Sequence, residues 1–167
     1  MFKNLFGKKE DVSKTIELKA YATGKLVSIE EVPDPVFSEK MMGEGVAIIP
    51  SEGKIYAPIE GEVVRVFPRK HAVVIRAQNG AEILIHIGLE TVSMKGEGFT
   101  THVTEGKKVK AGDLLVTVDL NLVKEKAKDI ITPLVITNAD VIEHVEKPIS
   151  SGNVTASEQI ILLVTAK

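Results

Sequence analysis

The chain contains no cysteine. Thiolate zinc sites, disulfides and cysteine nucleophiles are therefore excluded. The side chains left to carry chemistry at neutral pH are four histidines, the carboxylates and the hydroxyls. Two of the histidines, His71 and His86, fall on adjacent expected strands separated by Asn79-Gly80. That dipeptide is a strong hairpin signal and favours a two-residue type I′ turn, whose two central residues need positive φ. Such a turn pairs Gln78 with Ala81, sets Val73 opposite His86 and sets His71 opposite Gly88. Side chains alternate with period two along a strand, so this register puts both imidazoles on one face as diagonal neighbours, about 7–8 Å apart at the backbone. A slip of one residue would send them to opposite faces.

Two imidazoles on an apolar face have few uses. A metal site would need a third ligand, and none stands at suggestive spacing. General acid–base chemistry is a second use. Nucleophilic catalysis is a third, in which one imidazole accepts a group and the other stabilises it. A purely structural, hydrogen-bonded pair of sheet histidines fits the spacing as well. Leu84-Ile85-His86-Ile87-Gly88 embeds His86 in an apolar run, where a polar ring needs a partner or a task. Gly88 is expected to leave room beside the ring. His102 follows the polar pair Thr100-Thr101, and His144 sits among Glu143, Glu146 and Lys147; both are expected in solvent. The phrases Met42–Ile48 and Lys95–Phe99 are glycine-rich but lack the Gly-Lys-Ser/Thr ending of a phosphate-binding loop, and read as tight turns.

The elements that must position these residues are short. Apolar runs at Ile16–Ala22, Lys25–Ile29, Val46–Pro50, Gly61–Phe67, Ala72–Ala77, Glu82–Ile87, Leu114–Val118 and Ile160–Thr165 read as strands. Lys54–Val63 reads as a strand entering a tight turn. Gly, Asn and Asp turns, among them Ser151-Gly152-Asn153, separate the runs. Val36–Met42 is expected to form a single helical turn or loop, and Leu120–Lys128 and Asp140–Val145 short helices. Many short strands with regular turns suggest an all-β antiparallel sandwich or barrel. Hydrophobic residues make up 44% of the chain and aromatics 4%, so the core is expected to be aliphatic. A net charge of -2 speaks against a nucleic-acid surface. Residues 1–14 read as a flexible tail, with Phe2, Leu5 and Phe6 at helical spacing among lysines, offering weak membrane contact or none. Residues 15–167 read as one domain.

His71-Ala72, the stretch Gly80-x-Glu82-x-Leu84-Ile85-His86-Ile87-Gly88-Leu89-Glu90-Thr91-Val92, and Lys95-Gly96-Glu97-Gly98-Phe99 closely resemble the glucose-type enzyme IIA family of the bacterial sugar phosphotransferase system. Ile29–Ile48, Ala57-Pro58-x-Glu60-Gly61, Glu105-Gly106-x-x-Val109-Lys110-x-Gly112-Asp113, Glu125-Lys126-Ala127 and Thr132–Asn138 extend the match. The resemblance implies an antiparallel sandwich of the duplicated hybrid motif kind. It also implies a cytoplasmic phosphocarrier, a phosphotransferase component that takes a phosphoryl group from the carrier protein HPr and passes it to the IIB domain of a sugar permease. His86 matches the phosphorylated histidine and His71 the second histidine that steadies the phosphoryl group. Gly88 matches a site glycine. Val36, Phe37, Met41, Met42, Phe67, Leu84 and Val92 fall on the family's apolar contact rim, and Asp34 and Glu90 where acidic residues meet arginines of HPr.

Arg69 departs from the family pattern, which has Thr there, and is expected either to clamp phosphate or to point to solvent. Glu90 replaces the usual Asp. No cofactor is implied, although zinc could lodge between His71 and His86 if a partner added a carboxylate. A monomer is expected. The alternative within the family is a regulatory protein whose phosphorylation state controls docking to transporters or kinases. A zinc hydrolase on a related β-scaffold would need a His-x-His pair, which the chain lacks.

Overall fold

The computed structural model describes residues 14–167. The expected tail, apart from Lys14, and the membrane contact assigned to it lie outside the described residues. Short aliphatic runs bounded by turns fold as antiparallel strands in three sheets. The largest has the spatial order β13 (Gly152–Val154), β2 (Gly24–Ser28), β3 (Glu44–Pro50), β11 (Thr132–Ile136), β7 (Glu82–His86), β6 (Ala72–Ala77), β5 (Gly61–Val66), β9 (Lys108–Val109). A second sheet joins β1 (Thr15–Lys19), β14 (Ile160–Ala166) and β12 (Ile142–Glu146). A third joins β4 (Lys54–Tyr56), β10 (Leu114–Val118) and β8 (Phe99–Thr101). The large sheet ends at β13 and β9 without closing, so the architecture is the sandwich rather than the barrel. The helical elements within residues 15–167 are α1 (Pro35–Ser38), α2 (Leu120–Lys126) and three 3-10 turns.

Each face of the large sheet covers its own core. Val73, Ile75, Ile83 and Ile85 alternate inward and pack with Leu18, Leu115, Leu134 and Val164. Burial of each such side chain contributes about 1.5–3 kcal/mol. On the opposite face Ala72 and Leu84 join Val27, Ile29, Phe37, Ala47, Leu89 and Val135 in a smaller cluster. The site stands at the end of that second cluster.

Several elements differ from expectation. Asp140–Val145 is not a helix: a 3-10 turn over Ala139–Val141 leads into β12. The β-branched Ile142 and Val145 gain ladder bonds from β14, whereas six residues alone make a poor helix. Thr132–Ile136 is a central strand with all five residues buried, so the alternation that marks a half-exposed strand is absent from it. Gly152-Asn153 belongs to β13, which pairs with β2, rather than to a free turn.

The hairpin between β6 and β7 also differs. Ala72 stands opposite His86 and Val73 opposite Ile85, one residue away from the type I′ register. The loop is Gln78-Asn79-Gly80, closed by Ala77 N–H donating to the Ala81 carbonyl at 2.9 Å. Only Gly80 of the three takes positive φ, at 94°. Asn79 is engaged elsewhere: its Oδ1 accepts from Ala81 N–H at 3.1 Å, and its Nδ2 donates to the Lys14 and Val164 carbonyls at 3.1 Å each. The hairpin tip is thereby fastened to the β1–β14 sheet, and this fixes the longer loop.

Candidate functional site: two facing imidazoles

His86 ends β7, and the chain turns sharply after it. Gly88 has φ +74°, and a Cβ there would stand 2.7 Å from Thr91 Cγ2 and 2.9 Å from the Asp129 carbonyl oxygen. The glycine therefore opens no space beside the imidazole, contrary to the expectation from sequence; it lets the turn pack against Thr91, Val123 and Asp129. The turn brings the Gly88 carbonyl 2.8 Å from His86 Nδ1. A carbonyl can only accept, so Nδ1 carries the hydrogen. In the neutral ring the lone pair is then on Nε2. Burial lowers the His86 pKa, opposed by the Gly88 hydrogen bond and the Asp34 charge, so the ring is neutral at pH 7. Thr91 Oγ1 donates to the Ile87 carbonyl at 2.7 Å and locks the same turn.

His71 reaches the site by leaving the strand. In the observed register strict alternation would point it to the opposite face from His86. It lies just before β6, after Lys70 at φ +67°, and its carbonyl still accepts from Ile87 N–H at 2.7 Å. Free of the pleat, its ring meets that of His86 edge-on, with centroids 5.0 Å apart and planes at 80°. The expected convergence is therefore present, reached through the loop rather than through the turn type. His71 is buried. Burial, then the His86 and Arg69 charges, lower its pKa to about 4. Its Nδ1 is buried without a hydrogen-bond partner among the described residues.

Aromatic rings wall the pair. Phe37 lies 5.3 Å from His86, and Phe67 5.6 Å from His71. The Arg65 guanidinium carbon sits 4.2 Å over the Phe67 ring. Around this floor Val36, Met41, Met42 and Val92 are exposed apolar side chains, Met41 at 70%. Phe37 and Leu84 are buried at 4% and 3%. They form the floor of the site beneath the exposed side chains. Their place in the second core cluster is the reason.

Asp34 caps α1, its Oδ1 accepting from Val36 N–H at 3.0 Å. This fixes the turn that presents Val36 and Phe37. Glu90 is exposed in a left-handed conformation at φ +60°. Arg69 neither points freely to solvent nor lies idle: its Nη1 donates to the Val92 carbonyl at 3.3 Å. His102 stands apart, with Nε2 2.7 Å from Thr117 Oγ1, and His144 is exposed. Gly43 and Gly45 pack directly on β11 carbonyls, where a Cβ would come within 2.1 Å, so that phrase leads into the packed strand β3 rather than forming only the expected tight turn. Thr91, Lys128 and Asp129 were not singled out from sequence. Lys128 Nζ donates to the Pro33 carbonyl at 2.7 Å, tying the Asp34 loop to the site wall. All three work through backbone partners, which leave no sequence signal. Among the described residues no three His, Asp or Glu side chains converge as a metal-binding group, and no helix is long and apolar enough to cross a membrane.

Residues 16–142 match the model of the EIIA 1 family of the phosphoenolpyruvate-dependent sugar phosphotransferase system. The chain belongs to this family. It is 53% identical over 169 residues to the glucose-specific EIIA component of Bacillus cereus, covering all of both chains. It is 52% identical over 164 residues to the corresponding protein of Oceanobacillus iheyensis, covering 98% of this chain and 99% of the relative. The glucose permease IIA of Mycoplasma capricolum superposes with a TM-score of 0.80 at 39% identity, over 90% of this chain and 96% of that one. As a family member the chain is a phosphocarrier of the sugar phosphotransferase system, an intermediate in phosphoryl transfer.

Proposed function

We propose that His86 is the phosphoacceptor and that its Nε2 takes the phosphoryl group from phospho-HPr. The observation that carries this reading is the Gly88 carbonyl on Nδ1, which leaves Nε2 as the nucleophilic nitrogen of a neutral ring. In the transfer the Nε2 lone pair forms the new P–N bond while the donor imidazole departs with the electron pair of the old one. Nδ1 keeps its proton, and the Gly88 carbonyl stabilises the positive charge that the ring acquires. Onward transfer to the IIB domain of a sugar permease reverses these roles. Such chemistry asks the protein for position and charge stabilisation rather than covalent work.

His71 stands edge-on to the acceptor and, held neutral by its surroundings, is suited to donate a hydrogen bond to the phosphoryl group from its ring nitrogen. The exposed rim of Val36, Met41, Met42 and Val92 surrounds this pair, so a docked partner covers it and excludes water, which limits hydrolysis. Asp34 and Glu90 lie beside the rim and suit a basic partner, giving orientation and on-rate. The same face must serve donor and acceptor in turn. The site works in the cytoplasm, as a monomer, with glucose as the transported sugar in keeping with the relatives' names. No cofactor takes part. The two imidazoles supply half a tetrahedral zinc shell, so zinc would bind firmly only with ligands from a partner.

The test is transfer from phospho-HPr followed by intact mass at alkaline pH. The parent gains one phosphoryl group and His86→Ala gains none. His71→Gln gains it but passes it on slowly. A phosphorylated His86→Ala protein overturns the assignment.

A further inference from the structure

The loop between β5 and β6 brings a guanidinium to the mouth of the site. Arg69 is exposed, and its Nη1 donates to the Val92 carbonyl at 3.3 Å. Val92 lies in the 3-10 turn Thr91–Met94 and is itself 49% exposed. One side chain therefore ties the loop that presents His71 to the turn that follows Gly88. The tie is weak, being long and made to a neutral acceptor. Among the described residues Arg69 joins no ion pair. Its charge nonetheless reaches into the site, where it opposes protonation of His71, whose ring lies 5.0 Å from that of His86. A cation without a counter-charge among the described residues thus stands two residues before His71, on the loop that presents that ring.

A phosphoryl group brings about -1.5 to -2 charges. Charge-assisted hydrogen bonds are roughly twice as strong as neutral ones, and the guanidinium fork matches phosphate oxygens in geometry. The Val92 carbonyl cannot compete with such an acceptor. We propose that Arg69 is a phosphoryl-binding latch: it holds the Val92 turn in the free protein, and turns to the phosphoryl oxygens once His86 is phosphorylated, releasing that turn. This rests on the reading of His86 as phosphoacceptor. It makes the apolar rim differ between the two states, so that donor and acceptor meet different surfaces at Val92. The Thr expected at this position from the family resemblance has no charge with which to do this.

The test is a phosphorus NMR pH titration of the phosphorylated parent, Arg69→Gln and Arg69→Lys proteins, with amide spectra of the Val92 turn. An opposite charge within ~4–6 Å moves a titration by ~1–3 units, and exposure places Arg69 at the lower end. The second ionisation of the phosphoryl group is therefore expected to rise by about one pH unit in Arg69→Gln, and to return toward the parent value in Arg69→Lys. The Ser93 and Met94 amides of the parent are expected to shift on phosphorylation, while those of Arg69→Gln already differ in the free protein and shift less. Equal titration midpoints in parent and Arg69→Gln, or parent amides that do not move, overturn the latch. A parent protein that takes up no phosphoryl group by mass overturns the His86 assignment and the latch with it.

Discussion

Burial of His71 makes the stability of the fold depend on pH. Its pKa falls from 6.5 to about 4 in the folded protein, so the fold favours the neutral ring. Between these values the unfolded chain binds the extra proton and the folded chain does not. Stability therefore falls as pH drops through that window, and the contribution is fully favourable above it. At pH 5 the ratio of the two binding polynomials is about 30, which corresponds to about 2 kcal/mol. Well below pH 4 the contribution approaches about 3.4 kcal/mol. The perturbation is His71→Gln, which removes the titration while keeping a polar side chain of similar size. The assay is urea unfolding of both proteins at pH 7.5 and pH 5. The parent is expected to lose about 2 kcal/mol more than the variant between the two. Equal losses would show that the His71 ring is not held neutral by its surroundings, and would refute the picture of a dry, edge-on imidazole pair.

Two further outcomes separate the turn from the rim. Gly88→Ala places a methyl group 2.7 Å from Thr91 Cγ2 at φ +74°; left-handed strain of about 1–2 kcal/mol and overpacking of about 1–3 kcal/mol together predict a loss of about 2–5 kcal/mol by denaturant titration, and a wild-type midpoint would show that the turn is not constrained. Phe37→Ala, at a buried position, is expected to cost about 3–5 kcal/mol, whereas Met41→Asp, 70% exposed, should leave stability within about 0.5 kcal/mol and slow phosphoryl transfer from HPr. Unchanged transfer in Met41→Asp would remove that residue from the docking rim.

The sandwich was legible because its strands are short aliphatic runs between turn residues, and Ala72–Ala77 and Leu114–Val118 keep the bounds expected of them. β11 was not, because a strand buried on both faces shows no alternation, and Pro133 reads as a breaker. β12 was not, because its ladder with β14 comes from a partner some twenty residues later in the chain. The histidine pair was legible in outcome only. Its expected cause was a type I′ register, and the observed hairpin lies one residue away. The rings meet because His71 steps out of the strand after Lys70, a left-handed position that no residue type announces. Exposure on the rim followed the same division. Met41 and Val92 project, but Phe37 and Leu84 sink into the second cluster, and sequence carries no signal for that depth.

The Gly88 carbonyl fixes the His86 tautomer and so, in the proposed function, selects Nε2 as the phosphoryl-accepting nitrogen. The direct measurement is a long-range proton–nitrogen spectrum of His86, taken before and after phosphorylation by phosphoenolpyruvate, enzyme I and HPr. The expected result is a neutral ring with the proton on Nδ1 in the free protein, and phosphorus bonded to Nε2 of His86 afterwards. A proton on Nε2 before the reaction, or phosphorus on Nδ1 or on another histidine after it, would rule out this assignment.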